Sequence, residues 1–364
     1  MKATPSSGAA FCSIVPRYAT QGHCMNDVTV ISAFHNRADA VDMSVGSLAA
    51  QDYPAFRAIV VDDESRDGTW DALQRWASPR IEVRRQKNRG FTATMIALCA
   101  EAETEFVALH GAGDESLPAR LSAQVAFLRA HPQVVAVGCG IENVDIVSDR
   151  RWNVRPPEAI RRGPIVGAFG ISHGEVMFRR EAYLRAGGYR PAFTVGQASD
   201  LFRRMSRLGD FGYVEDVLSR RHLRLDGVSA KIDKVAERSV LAAISTAVHR
   251  RAIAANDANM PVLRDDLDRF GLLLPYIAPP DRGVARSLAQ ASTLYWAAGD
   301  TTVARRLARR SLAEAWTLRG WLARVGTLAG VGPLRAPLTA FARKLSRGKG
   351  EFSWDRLANT AKKA

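Results

Sequence analysis

Val28-Thr-Val-Ile31, Ala58-Ile-Val-Val61 and Glu105-Phe-Val-Ala-Leu109 are short apolar runs, rich in β-branched residues and bounded by polar turn residues. Runs of this kind read as buried strands. Helical patterns lie between them, and strand, helix, strand at this spacing predicts a parallel sheet with right-handed crossovers. The second run ends in Asp62-Asp63-Glu64-Ser65 and the third in His110-Gly111-Ala112-Gly113-Asp114. Open α/β sheets bind ligands outside the carboxyl ends of their strands, so Asp62, Asp63 and Asp114 are expected to face one crevice.

Outward from these strands, Asp39–Ala50 carries a helical pattern with Val41, Val45, Leu48 and Ala49 on one face, ended by Tyr53-Pro54. Asp67 is placed to cap a helix whose apolar face is Trp70, Leu73 and Ala77. Ile81-Glu-Val-Arg84 alternates like a half-buried strand, and Asn88-Arg89-Gly90 is turn chemistry. Further helices are expected over Phe91–Ala102 and Pro118–Ala130, then a strand over Val134–Gly140 and an arginine-rich loop over Val144–Arg162. Ile171–Phe178 reads as a strand, Arg180–Ala186 as a short helix, and Val214–Arg220 as another strand. From Lys231 the composition shifts to Ala/Arg/Leu helices: Val235–Ala255, then a pair over Ser287–Ala298 and Thr301–Leu318 joined by Gly299-Asp300. In the last helix Val303, Leu307, Ser311 and Ala315 are expected on one face, with four arginines opposite. Trp316–Leu345 mixes Trp, Leu and Phe with Arg and Lys, and reads either as a basic amphipathic surface helix or as a helix packed on the domain before it.

The chain has 364 residues, a formal charge of +14 and a hydrophobic content of 47%. That composition supports a globular core. The basic excess suits nucleic acid, an anionic membrane surface or phosphate-bearing substrates. The arginines are spread along the chain without a nucleic-acid-binding motif, so nucleic acid is set aside in favour of phosphate and membrane. Cys12, Cys24, Cys99 and Cys139 contain no Cys-x-x-Cys pair and read as reduced thiols rather than a zinc site or disulfide framework. Residues 1–27 lack periodicity and read as a disordered leader, with no apolar core of a signal peptide and no spanning run. A cytoplasmic location, at the inner face of the cell membrane, is the expectation.

Thr29–Arg37, Ser47–Pro54, Ile59–Thr69, Asn88-Arg89-Gly90 and Ala123–Pro132 follow one another in an order and spacing that resemble the GT-A glycosyltransferases of family 2. The resemblance runs from about Val28 to Ser229. It implies an α/β fold, a Rossmann-like and mostly parallel sheet flanked by helices, in a GT-A domain over residues 28–230. A helical, basic C-terminal region would fill 231–364. The implied activity is an inverting glycosyltransferase that moves a sugar from a nucleotide-sugar donor to a polysaccharide or lipid-linked acceptor, with peripheral membrane contact.

Such a reaction must hold a nucleoside diphosphate, neutralise the leaving pyrophosphate and deprotonate an acceptor hydroxyl. By resemblance Asp62 and Asp63 contact the nucleoside, with Asn36 and Arg89 nearby; Asp62 can equally cap the following turn. The family's Asp-x-Asp sequence binds a divalent cation, magnesium or manganese, at the end of the third strand. Here Gly111-Ala112-Gly113-Asp114 stands in its place, leaving Asp114 as metal ligand or as a turn residue. Arg221 and His222 occupy the place where relatives set Arg or His against the pyrophosphate, a pairing that is strong when bidentate. The family's acidic pair at a helix start aligns with Gln197-Ala198-Ser199-Asp200-Leu201, so Asp200 is the candidate base, with capping of a helix from Leu201 as its other role. His173 and Glu175 flank the expected acceptor pocket. The two departures, at Gly111 and Ala198, also fit a degenerate GT-A protein that binds nucleotide or a partner without transfer.

Overall fold

The computed structural model describes residues 26–146, 148–155, 158–166, 171–224, 232–254 and 281–328. The leader expected over 1–27 lies outside them except for its last two residues, and the boundary at 230 falls in a segment that also lies outside them.

The three organising runs are strands β1 (Val28–Phe34), β2 (Phe56–Asp63) and β4 (Phe106–Leu109), with β3 (Ile81–Gln86) at the edge. They run parallel in the order β3-β2-β1-β4. Both faces of the central strands are buried, which is why their sequences are continuous apolar runs rather than alternations. Helices α1 (Val41–Ala49), α2 (Thr69–Gln74), α3 (Phe91–Glu101) and α4 (Arg120–Ala130) make the crossovers. Asp67 accepts from the backbone N–H of Thr69 at 3.0 Å, one residue earlier than the formal cap, Gly68. The buried face of α2 is Thr69, Ala72 and Leu73; Ala77 is exposed because the helix stops at Gln74.

Beyond β4 the sheet turns mixed. β9 (Met177–Arg179) enters antiparallel between β4 and β6 (Val134–Asp145), and β10 (Asp210–Leu223) runs parallel to β6. The two-residue β5 (Glu115–Ser116) closes the far side against β10. Three expectations are corrected here. The loop over Val144–Arg162 contains β7 (Arg151–Val154) and β8 (Ile160–Arg161), which hang on β6 and β10. The strand expected from Ile171 begins only at Met177, because Ser172–Glu175 closes a turn on its own side chain. Helix α6 (Gln197–Met205) starts before Asp200, so Asp200 lies in its first turn rather than at its cap. Helix α5 (Arg180–Arg185) stands as expected.

The C-terminal helices are α7 (Ile232–Ala254), α8 (Arg282–Ala298), α9 (Thr301–Glu314) and α10 (Leu318–Leu328). Gly299 takes φ +97°, the left-handed closing conformation of α8, and the Asp300 side chain caps α9. The buried residues of α9 are Ala304, Ala308, Ser311 and Glu314; Ser311 lies on the expected face, while Val303, Leu307 and Ala315 are half-buried at its edge. Leu241, Ile244, Val248, Val284 and Leu288 pack with Phe193 and Val195 in one cluster, which ties these helices to the sheet domain. Cys99 and Cys139 are buried free thiols; Cys12 and Cys24 lie outside the described residues.

Gly140 has a local reason. Strand β10 bulges between Val214 and Val217, and a Cβ on Gly140 would lie 2.8 Å from the Asp216 carbonyl oxygen. Backbone cannot give way as a side-chain tip can. Gly140→Ala should lower the denaturant midpoint at unchanged m-value, by about 1–3 kcal/mol.

Candidate active site

Parallel strands that start together end together. Phe34 of β1 pairs with Asp62 of β2, and Ile31 with Leu109 of β4, so the residues after each strand meet along one edge. His35, Asn36, Asp62, Asp63 and His110–Asp114 all come from that edge.

Asp63 is its organiser. Its carboxylate is buried and accepts from Gln86 Nε2 at 2.7 Å, the Arg89 N–H at 3.1 Å and the Gly90 N–H at 3.0 Å. These contacts hold the loop from β3 to α3 over the end of β2. Gly90, at φ +82°, makes the turn that delivers its N–H. Oδ2 takes one bond and keeps a lone pair. His35 Nδ1 and Asn88 Nδ2 both reach the Asp63 carbonyl oxygen, at 2.8 and 3.1 Å. Asn36 receives the Arg66 N–H on its side-chain oxygen and donates its own N–H to Ser65 Oγ. Asp62 Oδ1 accepts the Ser65 N–H at 3.2 Å, while Oδ2 lies 3.2 Å from Arg85 Nε in an ion pair without hydrogen-bond geometry. Asn36 and Glu64 both adopt positive φ, at 52° and 60°. For Glu64 that conformation is uncommon, and it sits where three loops converge. His35 and Gln86 were missed in the sequence, and Asn88 was read only as part of a turn; His35 carried a signal, directly after a strand and before Asn36.

The second group surrounds Asp114. Antiparallel pairing of Arg220 with Glu115 carries Arg221 and His222 to this turn. The His222 N–H donates to Asp114 Oδ1 at 3.1 Å, and the His222 ring meets Glu115 Oε1 at 2.8 Å. Arg220 bridges Glu115 and Glu142. Arg221 Nε donates to Asn143 Oδ1 at 2.8 Å. Burial pushes the Asp114 carboxyl up to about 7, against the His222 N–H and the Arg221 charge.

Asp114 folds back over its own turn. A Cβ on Gly111 would lie 2.1 Å from Asp114 Oδ2, and Gly113 has φ +94°. A side chain at 111 would have to displace the Asp114 carboxylate from its present place, and one at 113 would be strained by the left-handed backbone. Among the described residues no group of three or more His, Cys, Asp or Glu is arranged to hold a metal ion. A divalent cation wants several oxygen ligands around it. One inward-turned carboxylate does not fit that requirement.

Beneath the turn His110 and Arg120 are buried. His110 contacts Ser44 Oγ at 2.8 Å and Ser116 Oγ at 2.9 Å, and Ser44 Oγ accepts the Gly113 N–H. Arg120 donates to Ser116 Oγ and to the Leu109 carbonyl oxygen. Burial, helped by the Arg120 charge, pushes His110 down to about 3, so it is neutral. No sequence signal marked Arg120 as other than a surface helix residue.

His173 and Glu175 sit beside Asp114. A Cβ on Gly174, between them, would lie 3.2 Å from Asp114 Oδ2. Glu175 is buried and accepts from the Ser172 N–H and hydroxyl. His173 Nε2 meets Tyr189 Oη at 2.7 Å and packs edge-on to Phe91; burial lowers it to about 4. Asp200 is elsewhere engaged. It is buried, with Arg204 at 2.7 Å, Arg190 at 3.4 Å and Ser245 of α7 at 3.3 Å on its two oxygens. The structure thus gathers Asp62, Asp63, Asn36 and Arg89 at one end of the edge and Asp114, Arg221, His222, His173 and Glu175 at the other. Asp200 is instead held in a closed ionic corner.

Two outcomes follow from this geometry. Removing Asp200 takes from two buried guanidiniums the carboxylate they share, so Asp200→Ala should cost about 3–5 kcal/mol in denaturant unfolding, seen before any selective loss of turnover. For Asp114, the folded chain keeps the proton to about pH 7, while the unfolded chain releases it near 3.8. The folded state binds more protons between those values, so this group's contribution to stability falls as pH rises through the window. In chelator, Asp114→Asn should gain on the wild type from about pH 4 to about pH 7, by up to about 1.4 kcal/mol per pH unit. A difference that ignores pH would refute the inward, proton-holding carboxyl.

Comparisons with known proteins bear on the family and the fold. Residues 29–186 match the model of glycosyl transferase family 2. EpsE of Bacillus subtilis is 30% identical over 180 residues, 48% of this chain and 64% of that protein. The succinoglycan biosynthesis protein ExoO of Rhizobium meliloti is 27% identical over 158 residues, 43% of this chain and 44% of that one. The chain thus spans less than two thirds of the length of the curated relatives it matches. Among solved structures, S. aureus TarS (1–349) in complex with UDP-GlcNAc superposes with a TM-score of 0.53 at 16% identity, covering 83% of this chain and 90% of that one. Residues 29–186 of the chain are thus similar to glycosyl transferase family 2, and the sheet domain has the GT-A fold.

Proposed function

We propose that this protein transfers a sugar, with inversion, from a nucleotide-sugar donor to a saccharide or lipid-linked acceptor. The observation that carries the reading is the single sheet edge on which Asp63 and its loop stand at one end and Arg221 and His222 at the other. The nucleoside lies at the Asp63 end, where the lone pair of Oδ2 accepts from the base or ribose and Asn36 and Arg89 border the rim. The diphosphate lies toward Arg221 and His222, whose positive charge offsets the charge of the leaving group. The acceptor approaches on the His173 and Glu175 side, walled by the half-exposed Phe91. TarS is named with UDP-GlcNAc, ExoO for succinoglycan biosynthesis and the B. subtilis TuaG as a putative teichuronic acid biosynthesis glycosyltransferase, which supports a donor and acceptor of these classes.

A second reading has its own observation. Ala198 stands where the family's base is expected, and Asp200 is committed to Arg190 and Arg204. A GT-A protein that binds nucleotide without transfer is consistent with both facts. Radiolabelled donors, scored separately for binding, hydrolysis and transfer, divide the two: binding without product supports the second.

The diphosphate assignment is tested by calorimetry. Arg221→Ala should weaken nucleoside diphosphate binding roughly 10- to 100-fold, the range expected for a lost charged hydrogen bond. Wild-type affinity should be the same in manganese as in EDTA. Loss of binding in EDTA would show that a cation, not these side chains, carries the phosphates.

A further inference from the structure

Helix α10 is held by one face. A Cβ on Gly320 would lie 2.7 Å from Ser311 Oγ of α9, and Arg305 Nε of α9 donates to the Thr327 carbonyl oxygen at 2.8 Å. Gly320 and Thr327 therefore face inward, and the rotation of the helix about its axis is set. Turned away from them are Leu318, Trp321, Leu322 and Val325, at the spacing i, i+3, i+4, i+7 that makes one stripe. They are 61%, 47%, 42% and 42% exposed, and Trp316, just before the helix, is 69% exposed. Among the described residues these are five of the ten exposed large hydrophobics, gathered within ten positions of the chain.

The charge around the stripe has one sign. At 100° per residue the exposed Arg319 falls on one flank, while Arg324, on the other, is half-buried with one Nη atom turned inward. Residues 301–328 contain six arginines and one acid, Glu314. Glu314 is buried, receives the Asp281 N–H and lies 3.7 Å from Arg310, so it presents no negative charge outward. Arg306 and Arg309 of α9 are exposed. Residues 329–364 add eight basic residues against two acidic ones. None of the described helices is long and apolar enough to cross a membrane.

We propose that the exposed face of α10 is a docking surface for an anionic lipid membrane, with Trp316, Leu318, Trp321, Leu322 and Val325 entering the headgroup boundary and the exposed Arg319, with Arg306 and Arg309 of α9, pairing with lipid phosphates. An apolar stripe with tryptophan, set among exposed arginines, is the pattern of a helix lying in the interface plane. Tryptophan suits that depth because its ring is apolar and its N–H polar. A nucleic acid would match the charge but not the apolar centre. A protein partner would match the stripe, but nothing on this face offers it an acidic counterpart or a polar rim of both signs. The proposal is independent of the sugar-transfer reading, since its readout is lipid binding.

The test uses the full chain and vesicles of phosphatidylcholine with or without phosphatidylglycerol, scored by co-flotation. The wild type should float with the phosphatidylglycerol vesicles and be released by salt. The triple variant Trp321→Ser, Leu322→Ser, Val325→Ser should partition at least about tenfold more weakly, since each side chain loses apolar contact with the bilayer. Arg319→Glu should weaken binding to the anionic vesicles by more than the roughly fivefold expected of one lost basic contact. All four positions point outward, so far-ultraviolet dichroism and nucleotide affinity should match the wild type, and a misfolded variant is replaced by Trp321→Gln alone, scored the same way. Equal flotation of variants and wild type overturns the proposal. So does a wild type that ignores vesicles, or one that elutes as a dimer while the triple variant elutes as a monomer, which would make the face a contact between two copies.

Discussion

The backbone ladder that holds β1 between β2 and β4 is the constraint on which the rest depends. Val28 pairs with Phe56 on one side and with Phe106 on the other, so three parallel strands begin level. Their side chains are buried on both faces, and a slip of one residue would exchange every apolar contact. Once the register is set, the polar residues after each strand have nowhere to go but the same edge. Asp63 then converts proximity into shape, because the N–H groups of Arg89 and Gly90 converge on one carboxylate and draw a third loop over it.

The turn after β4 is shaped by the residues that stand where the family's carboxylate pair is expected. Glycine at 111 and 113 is not a neutral loss of carboxylates. Asp114 occupies the space that a side chain at 111 would need, and the left-handed backbone at 113 disfavours one there. Arg120 and a neutral His110, both buried, lie beneath this turn, with Ser44 and Ser116 as their partners. The Arg120 guanidinium gives one N–H each to the Ser116 hydroxyl and the Leu109 carbonyl oxygen, while its Nε is buried without a hydrogen-bond partner. The positive charges at this edge thus come from side chains of β10 and from the layer below.

The C-terminal helices extend the same logic. Phe193 and Val195, from the loop before α6, sit in the cluster that α7 and α8 build. Asp200 ties Arg190, Arg204 and Ser245 together at that junction. A carboxylate that the motif placed in catalysis therefore serves the joint between the sheet domain and its helical extension. The outermost helix, α10, packs through small and polar residues and turns its large ones outward, the reverse of the usual arrangement for a surface helix.

The strands β1 to β4, the crossover helices and the collection of Asp62, Asp63 and Asp114 at one edge were legible in the chain. Apolar runs of strand length carry their own evidence of burial, and parallel topology dictates where their ends lie. The helical pair around Gly299-Asp300 was legible for the same reason, since a left-handed glycine and a capping aspartate mark a helix break locally. What only the tertiary structure decided were contacts between residues far apart in number. Asp200 looks like a base in its own stretch and becomes a structural ion because Arg190 and Ser245 arrive from other elements. Arg221 and His222 reach Asp114 through a pairing of β10 with a two-residue strand that no pattern could announce. Local sequence determines which way a segment folds because its hydrogen bonds and apolar period are local. The role of a charged side chain depends on the charges that surround it, and those are brought together only by packing.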